Sequence, residues 1–261
     1  MAELLFWPAL LAYGEAAVAY AGAVRSGSFT RLATWGVRLG WLWQTALLVV
    51  QAARADGFPW ASWAGSLNLF VWLVVTVYLV WGCRARYRLL GLVVTPLAAA
   101  LFVVARIGGG TDLGERSHYS NLFLVLHVGL VLAAFAGFTL AAALAAVYLF
   151  QERRLKRHDA TILRLPAPSL ETLDSLQART ILYSLPALTL GIAAGVVRLE
   201  EDGGGVDALM AVTAATWLAY GGYLGLRAWR GWRGRRAAYL ALAGFVLVVV
   251  VRLLLTGTHF G

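Results

Sequence analysis

Between Asn121 and Phe150 the chain runs thirty residues without a charged side chain, then places five charged residues among the seven from Gln151 to Arg157. Thirty helical residues extend about 45 Å at ~1.5 Å per residue, whereas the hydrocarbon core of a bilayer is only ~30 Å thick. Lipid offers no water to satisfy backbone N–H and C=O groups, so a helix is the structure such a segment adopts when it crosses. The stretch therefore predicts a membrane helix that continues past one face of the bilayer. Its one histidine, His127, stands about two turns from the uncharged end.

Composition carries that reading to the whole chain. Hydrophobic residues make up 61% and charged residues 13%, and the mean hydropathy of +0.73 lies outside the range of a soluble domain. Eight apolar segments are visible, roughly Leu4–Val24, Leu32–Ala53, Ser66–Cys83, Leu89–Ala105, Asn121–Phe150, Thr180–Val197, Asp207–Leu226 and Ala237–Gly257. Each reaches or nearly reaches the ~17–25 residues needed to cross. The expectation is an all-α, polytopic integral membrane protein of about eight transmembrane helices, forming a single transmembrane domain over residues 1–261. The second segment is the weakest, because Arg38, Gln44 and Gln51 interrupt it; it crosses or lies partly in the interface. Pro96 and Pro186 fall inside spans, a position that membrane helices tolerate. The opening MAELLFWP lacks a basic leader and a small-residue cleavage site, so it reads as the first span. A lone cysteine, Cys83, excludes an internal disulfide framework and a multi-cysteine metal site.

The net charge of +9 has a topological origin. Sixteen of the 22 basic residues fall in the loops after the first, third, fifth and seventh segments, including Arg84, Arg86 and Arg88 and the run Arg233, Arg235 and Arg236. The opposite loops carry Asp56, Asp112, Glu115, Glu200, Glu201 and Asp202. By the positive-inside rule the basic loops are cytoplasmic and both termini lie outside. The basic residues thus meet cytoplasmic lipid, and no nucleic-acid footprint is implied. The multi-pass membrane is expected to be the cytoplasmic (inner) membrane of a bacterial-type cell.

The longest connection, residues 151–179, is expected to be a cytoplasmic linker. Pro166 and Pro168 break it, and Ser169 followed by Glu171 and Asp174 predicts the capped start of a short amphipathic helix. Leu170, Leu173 and Leu176 give that helix one apolar face, for the membrane or for a docking partner.

Of the four histidines, His127 and His259 belong to different spans and stand at a similar outer depth. Rim imidazoles are either solvated headgroup-level residues or ligands. Two imidazoles converging from separate helices are what axial haem ligation requires, since the iron takes one nitrogen from each face of the ring. Phe58, Trp60 and Trp63 cluster before the third span, either as an interfacial belt or as a lid for a planar apolar ligand. Gly57, Gly65 and Gly108–Gly110 allow backbone to come close there. Arg106 and Arg198, at outer helix ends, either hold carboxylates such as haem propionates or snorkel. Arg252 precedes His259 by seven residues and so shares its helical face. Glu15, well inside the first span, is its candidate partner.

The stretches FPWASWAGSLNLFVW, LHVGLVLAAFAGF leading to YLFQERRLKR, LPAPSLETLD, GWRGRRAAYLALAGF and LLLTGTHFG follow one another in this order over nearly the whole chain. In these stretches the chain resembles the cytochrome c assembly family of haem-handling membrane proteins (the CcsA, CcmC and HemX types), in particular the smaller stand-alone HemX-like branch. The resemblance implies that the family's external, iron-ligating histidine pair falls on His127 and His259. Two departures are visible. Where larger members carry a tryptophan-rich box, this chain reads VVRLEEDGGGVDALM, and Gly65 stands at the place of a family acidic residue.

The expected function is haem handling in c-type cytochrome biogenesis or haem supply, with b-type haem held near the outer face by His127 and His259. Trp60, Trp63, Arg106, Arg198 and Arg252 complete the expected site. No nucleophile–base pair or phosphate loop is present in the sequence, so no enzymatic activity is expected. Expected partners are the lipid bilayer, haem, and other cytochrome c assembly subunits or a cytoplasmic haem-synthesis enzyme. Two alternatives stand beside this reading. One is a haem-free regulatory scaffold docking such an enzyme through residues 151–179. The other is a haem transporter whose path is lined by Glu15, Gln44 and Arg252.

Overall fold

The structure, a computed structural model, describes residues 2–25, 29–55, 58–60, 62–81, 83, 87–112, 121–158, 168–202 and 208–257. Among these residues there are eight helices and no strand: α1 (Ala2–Arg25), α2 (Thr30–Arg54), α3 (Trp63–Trp81), α4 (Arg88–Ile107), α5 (Asn121–Lys156), α6 (Leu170–Asp202), α7 (Ala208–Arg230) and α8 (Arg235–Gly257). Each of the eight predicted segments coincides with one helix. Five helices contain stretches long and apolar enough to cross a bilayer by themselves: Leu4–Ala23, Trp63–Val80, Leu89–Ile107, Leu126–Lys156 and Leu170–Val197. α5 spans 36 residues and includes the charged run to Lys156. Its backbone bonds are made within the helix, so leaving the lipid gives it no reason to stop.

The chain divides into two compact units, Met1–Val128 with Asp159–Pro168 and Gly129–His158 with Ser169–Gly261. In the first unit α1 packs on both α2 and α4, and α3 packs on α4 and α2. Apolar lipid gives little drive for helices to associate, so close backbone approach through small residues supplies the contact. A Cβ at Gly36 would meet the Ala12 carbonyl oxygen at 3.0 Å, and one at Gly40 would lie 2.6 Å from the Tyr13 ring. Gly91 likewise leaves room for Tyr20 and Tyr78, whose hydroxyls bond to each other at 2.9 Å.

The amides that make α2 look weak in sequence are fully buried: Gln44 and Gln51 are each 0% exposed. The Tyr13 hydroxyl donates to Gln44 Oε1 at 2.8 Å. Gln44 Nε2 in turn donates to the carbonyl and side-chain oxygens of Asn68, both at 3.0 Å. These residues face neighbouring helices and tie α1, α2 and α3 together. Arg38 is exposed and stacks its guanidinium 5.3 Å from the Trp35 ring.

In the second unit the stretch of α5 from Ala134 to Leu149 is largely buried, as is Gln151. Gly137 lets Ser184 Oγ of α6 into direct contact, and Phe138 stacks on Tyr220 of α7 at 3.9 Å with an interplanar angle of 4°. Ser169 caps α6, its Oγ accepting from the Thr172 N–H at 3.2 Å. The expected short amphipathic helix is the first turn of this longer one. Leu173 and Leu176 are buried, and Asp174 is held by Arg227 (Nη1 3.1 Å, Nη2 2.7 Å) and by the Gly234 N–H at 2.8 Å. Those tertiary bonds give the polar turn a reason to remain helical and continuous with the span. An open apolar groove of about 410 Å³ runs along this unit between Leu182, Pro186, Thr189 and Trp217.

Candidate functional site

Four of the seven expected site residues have described side chains, and all four belong to the first unit: Trp60, Trp63, Arg106 and His127. Arg198 and Arg252 lie in α6 and α8 with side chains outside the described residues, and His259 is outside them altogether.

Trp60 and Trp63 are set by the way the chain enters α3. Phe58 is 3% exposed and meets the Trp60 ring edge-on at 5.5 Å. Ser66 Oγ donates to the Trp60 carbonyl at 2.8 Å, and the Gly65 N–H donates to Ser62 Oγ at 3.0 Å. A Cβ at position 65 would come 2.9 Å from the Trp60 Cα. Any larger residue at 65 would thus push on backbone, which explains the glycine there. The Trp63 ring lies directly over Gly108 and leaves 58% of the residue exposed.

Beneath the tryptophans is a set of buried amides. Asn68 is 0% exposed, and its Nδ2 donates to Gln51 Oε1 at 3.2 Å and to the Gly110 carbonyl at 3.1 Å. Gln51 Nε2 donates to the carbonyls of Gly110 at 3.1 Å and Asp112 at 2.7 Å. Trp60 Nε1 donates to Gln51 Oε1 at 3.3 Å. One pair of side chains thus joins the end of α2, the entry to α3 and the turn after α4. The turn itself needs glycine twice. Gly109 has a φ of 80°, and a Cβ at Gly110 would overlap the Ala64 carbonyl oxygen. Thr111, 1% exposed, has a buried hydroxyl without a hydrogen-bond partner among the described residues. Sequence reasoning passed over Asn68 and counted Gln51 against its span. The available signal was that an amide inside a membrane helix must find a partner there.

Arg106, in the last turn of α4, places its guanidinium 5.9 Å from the Phe6 ring centroid. His127 lies one helical turn beyond Phe123 on α5, and the two rings stack at 5.5 Å with an interplanar angle of 3°. The imidazole is half-buried, held flat against an aromatic plane.

Eight helices among the described residues, five of them apolar enough to span by themselves, define a polytopic membrane protein. The sequence profile described as cytochrome c assembly protein matches residues 60–259, and the chain belongs to that family. Over 87% of its length it is 28% identical to 86% of the cytochrome c biogenesis protein CcsA of Microcystis aeruginosa. It is also 28% identical to the CcsA of Guillardia theta, covering 78% of this chain and 75% of that one. Protein HemX of Brevibacillus brevis is 27% identical over 60% of this chain and 58% of its own. No solved structure matches the chain.

Proposed function

We propose that this protein handles haem in c-type cytochrome assembly or haem supply, with His127 and His259 as the axial ligands of a b-type haem near the outer face of a bacterial-type inner membrane. The observation that carries this reading is the extent of the family match, which begins at Trp60 and ends at His259 and so takes in both histidines and the tryptophan pair. The described residues suit such a group. An imidazole steadied by a stacked ring, a broad exposed indole and a guanidinium at a helix end are respectively a nitrogen donor, an apolar platform and a carboxylate partner. The iron supplies any redox chemistry when haem is bound; the chain binds and orients, and is not itself an enzyme. In this reading Trp60 and Trp63 cover the ring, Arg106 and Arg198 pair with its carboxylates, and Arg252 supports His259. Assembly subunits or a haem-synthesis enzyme are the partners through which the haem passes.

The test is the visible spectrum of the purified full chain in mild detergent. A low-spin Soret band is expected in the wild type, weakened in both His127→Ala and His259→Ala. A chain that stays colourless after haem titration overturns the reading in favour of a haem-free scaffold. A band unchanged in both variants removes the two histidines as ligands.

A further inference from the structure

Glu15 lies at the middle of α1. The span Leu4–Ala23 has its midpoint between Tyr13 and Gly14, so Glu15 is about 2 Å along the axis from mid-bilayer. The core face of α1 is built from Tyr13, Ala16, Ala19 and Tyr20, and Glu15 is not on it: the residue is exposed. Among the described residues the carboxylate makes neither an ion pair nor a side-chain hydrogen bond. A charged side chain at this depth costs at least ~2.5–3.5 kcal/mol on insertion scales, and residues near helix ends escape that cost by reaching the interface. Glu15 cannot do so, being short and two to three turns from either end.

The surface around it is shaped to receive a helix. Leu4 (73% exposed), Trp7 (60%), Leu11 (68%) and Val18 (75%) lie on this side of α1, and with Gly14 they repeat at alternating steps of three and four. That is the spacing of a helix–helix seam. Nothing lies within 4 Å of a Cβ built on Gly14. A second backbone can therefore approach closely beside Glu15, as small residues permit in membrane helix pairs. Lipid tails would satisfy Leu4, Trp7, Leu11 and Val18 but not a carboxylate. The charge decides what kind of helix belongs there.

We propose that the outward face of α1 is an intramembrane docking surface for a transmembrane helix of another protein, one carrying a cationic side chain at mid-bilayer that pairs with Glu15. The inference is independent of haem binding.

A designed probe tests it without the natural partner. The full chain is reconstituted in phosphatidylcholine vesicles with a labelled leucine-rich transmembrane peptide carrying one central arginine, or leucine in its place, and association is read by energy transfer. The arginine peptide is expected to associate about tenfold more tightly than the leucine peptide, a gain that recovers part of the insertion cost. Glu15→Leu abolishes that preference and Glu15→Gln reduces it, with helical content and detergent elution volume unchanged. Equal association of the two peptides, or a preference that survives Glu15→Leu, overturns the proposal. So does quantitative disulfide-linked dimer from a Cys83→Ser/Glu15→Cys chain, since a second copy would then cover this face.

Discussion

Asn68 of α3 and Gln51 of α2 share a single acceptor: both side-chain amides donate to the Gly110 carbonyl at 3.1 Å, while Asn68 also donates to Gln51 Oε1 at 3.2 Å. Three chain segments distant in sequence are fastened by two side chains, and the Trp60 indole hangs from the same Gln51 oxygen.

Replacing Asn68 by Leu removes one of the two donors to the Gln51 Oε1 and one of the two to the Gly110 carbonyl, and takes the side-chain acceptor away from Gln44 Nε2. The expected loss is about 1–3 kcal/mol, read as a lower midpoint for unfolding in mixed detergent. Asn68→Asp, which keeps the acceptor and loses the donor, should fall well below wild type too. A stability equal to wild type for both variants would show that the network contributes nothing.

Gly110→Ala is expected to be worse than a typical exposed glycine substitution. The added methyl meets the Ala64 carbonyl oxygen, which is backbone and cannot rotate away, so the turn or the start of α3 must shift, at about 1–3 kcal/mol. Gly221→Ala on α7, where a Cβ meets nothing within 4 Å, is the matched control and should be neutral. Thermal unfolding in detergent separates the two.

The Asp174–Arg227 pair should matter for the second unit. Asp174 also accepts the Gly234 N–H, so one carboxylate joins α6, α7 and the turn into α8. Asp174→Ala is expected to cost about 2–3 kcal/mol, somewhat under the range for a fully buried pair because 19% of the Arg227 side chain remains exposed. Arg227→Ala should cost a similar amount, and the double variant less than the sum of the singles, measured as a double-mutant cycle.

Cys83, just past the end of α3, is partly buried, and burial pushes its thiol above the ordinary range; Arg38 and Tyr20 act the other way. Since the thiolate is the nucleophile, alkylation at about pH 8 should be slower than that of free cysteine and should keep rising above about pH 9. Arg38→Leu removes a lowering influence and should slow it further. Reaction at the free-cysteine rate would contradict this.

The eight helices were legible in the residues because lipid permits a single segment only one way to satisfy its backbone, and an apolar run of sufficient length announces that condition. The histidine and tryptophan candidates were legible for a related reason, as polar or amphipathic groups at the ends of such runs. What a one-dimensional reading lacks is partnership. Gln44 and Gln51 looked like interruptions, and only the packing of α1, α2 and α3 shows them as mutual donors and acceptors with Tyr13 and Asn68. The polar turn from Ser169 to Asp174 looked like a separate surface helix, and Arg227, 53 residues further on, makes it the first turn of a span. Glu15 is exposed on α1, and its candidate partner Arg252 has its side chain outside the described residues. Hydrophobic length is a sum over neighbours along the chain and can be read from it. Hydrogen-bond satisfaction depends on groups brought together across helices, and the tertiary structure alone decides which they are.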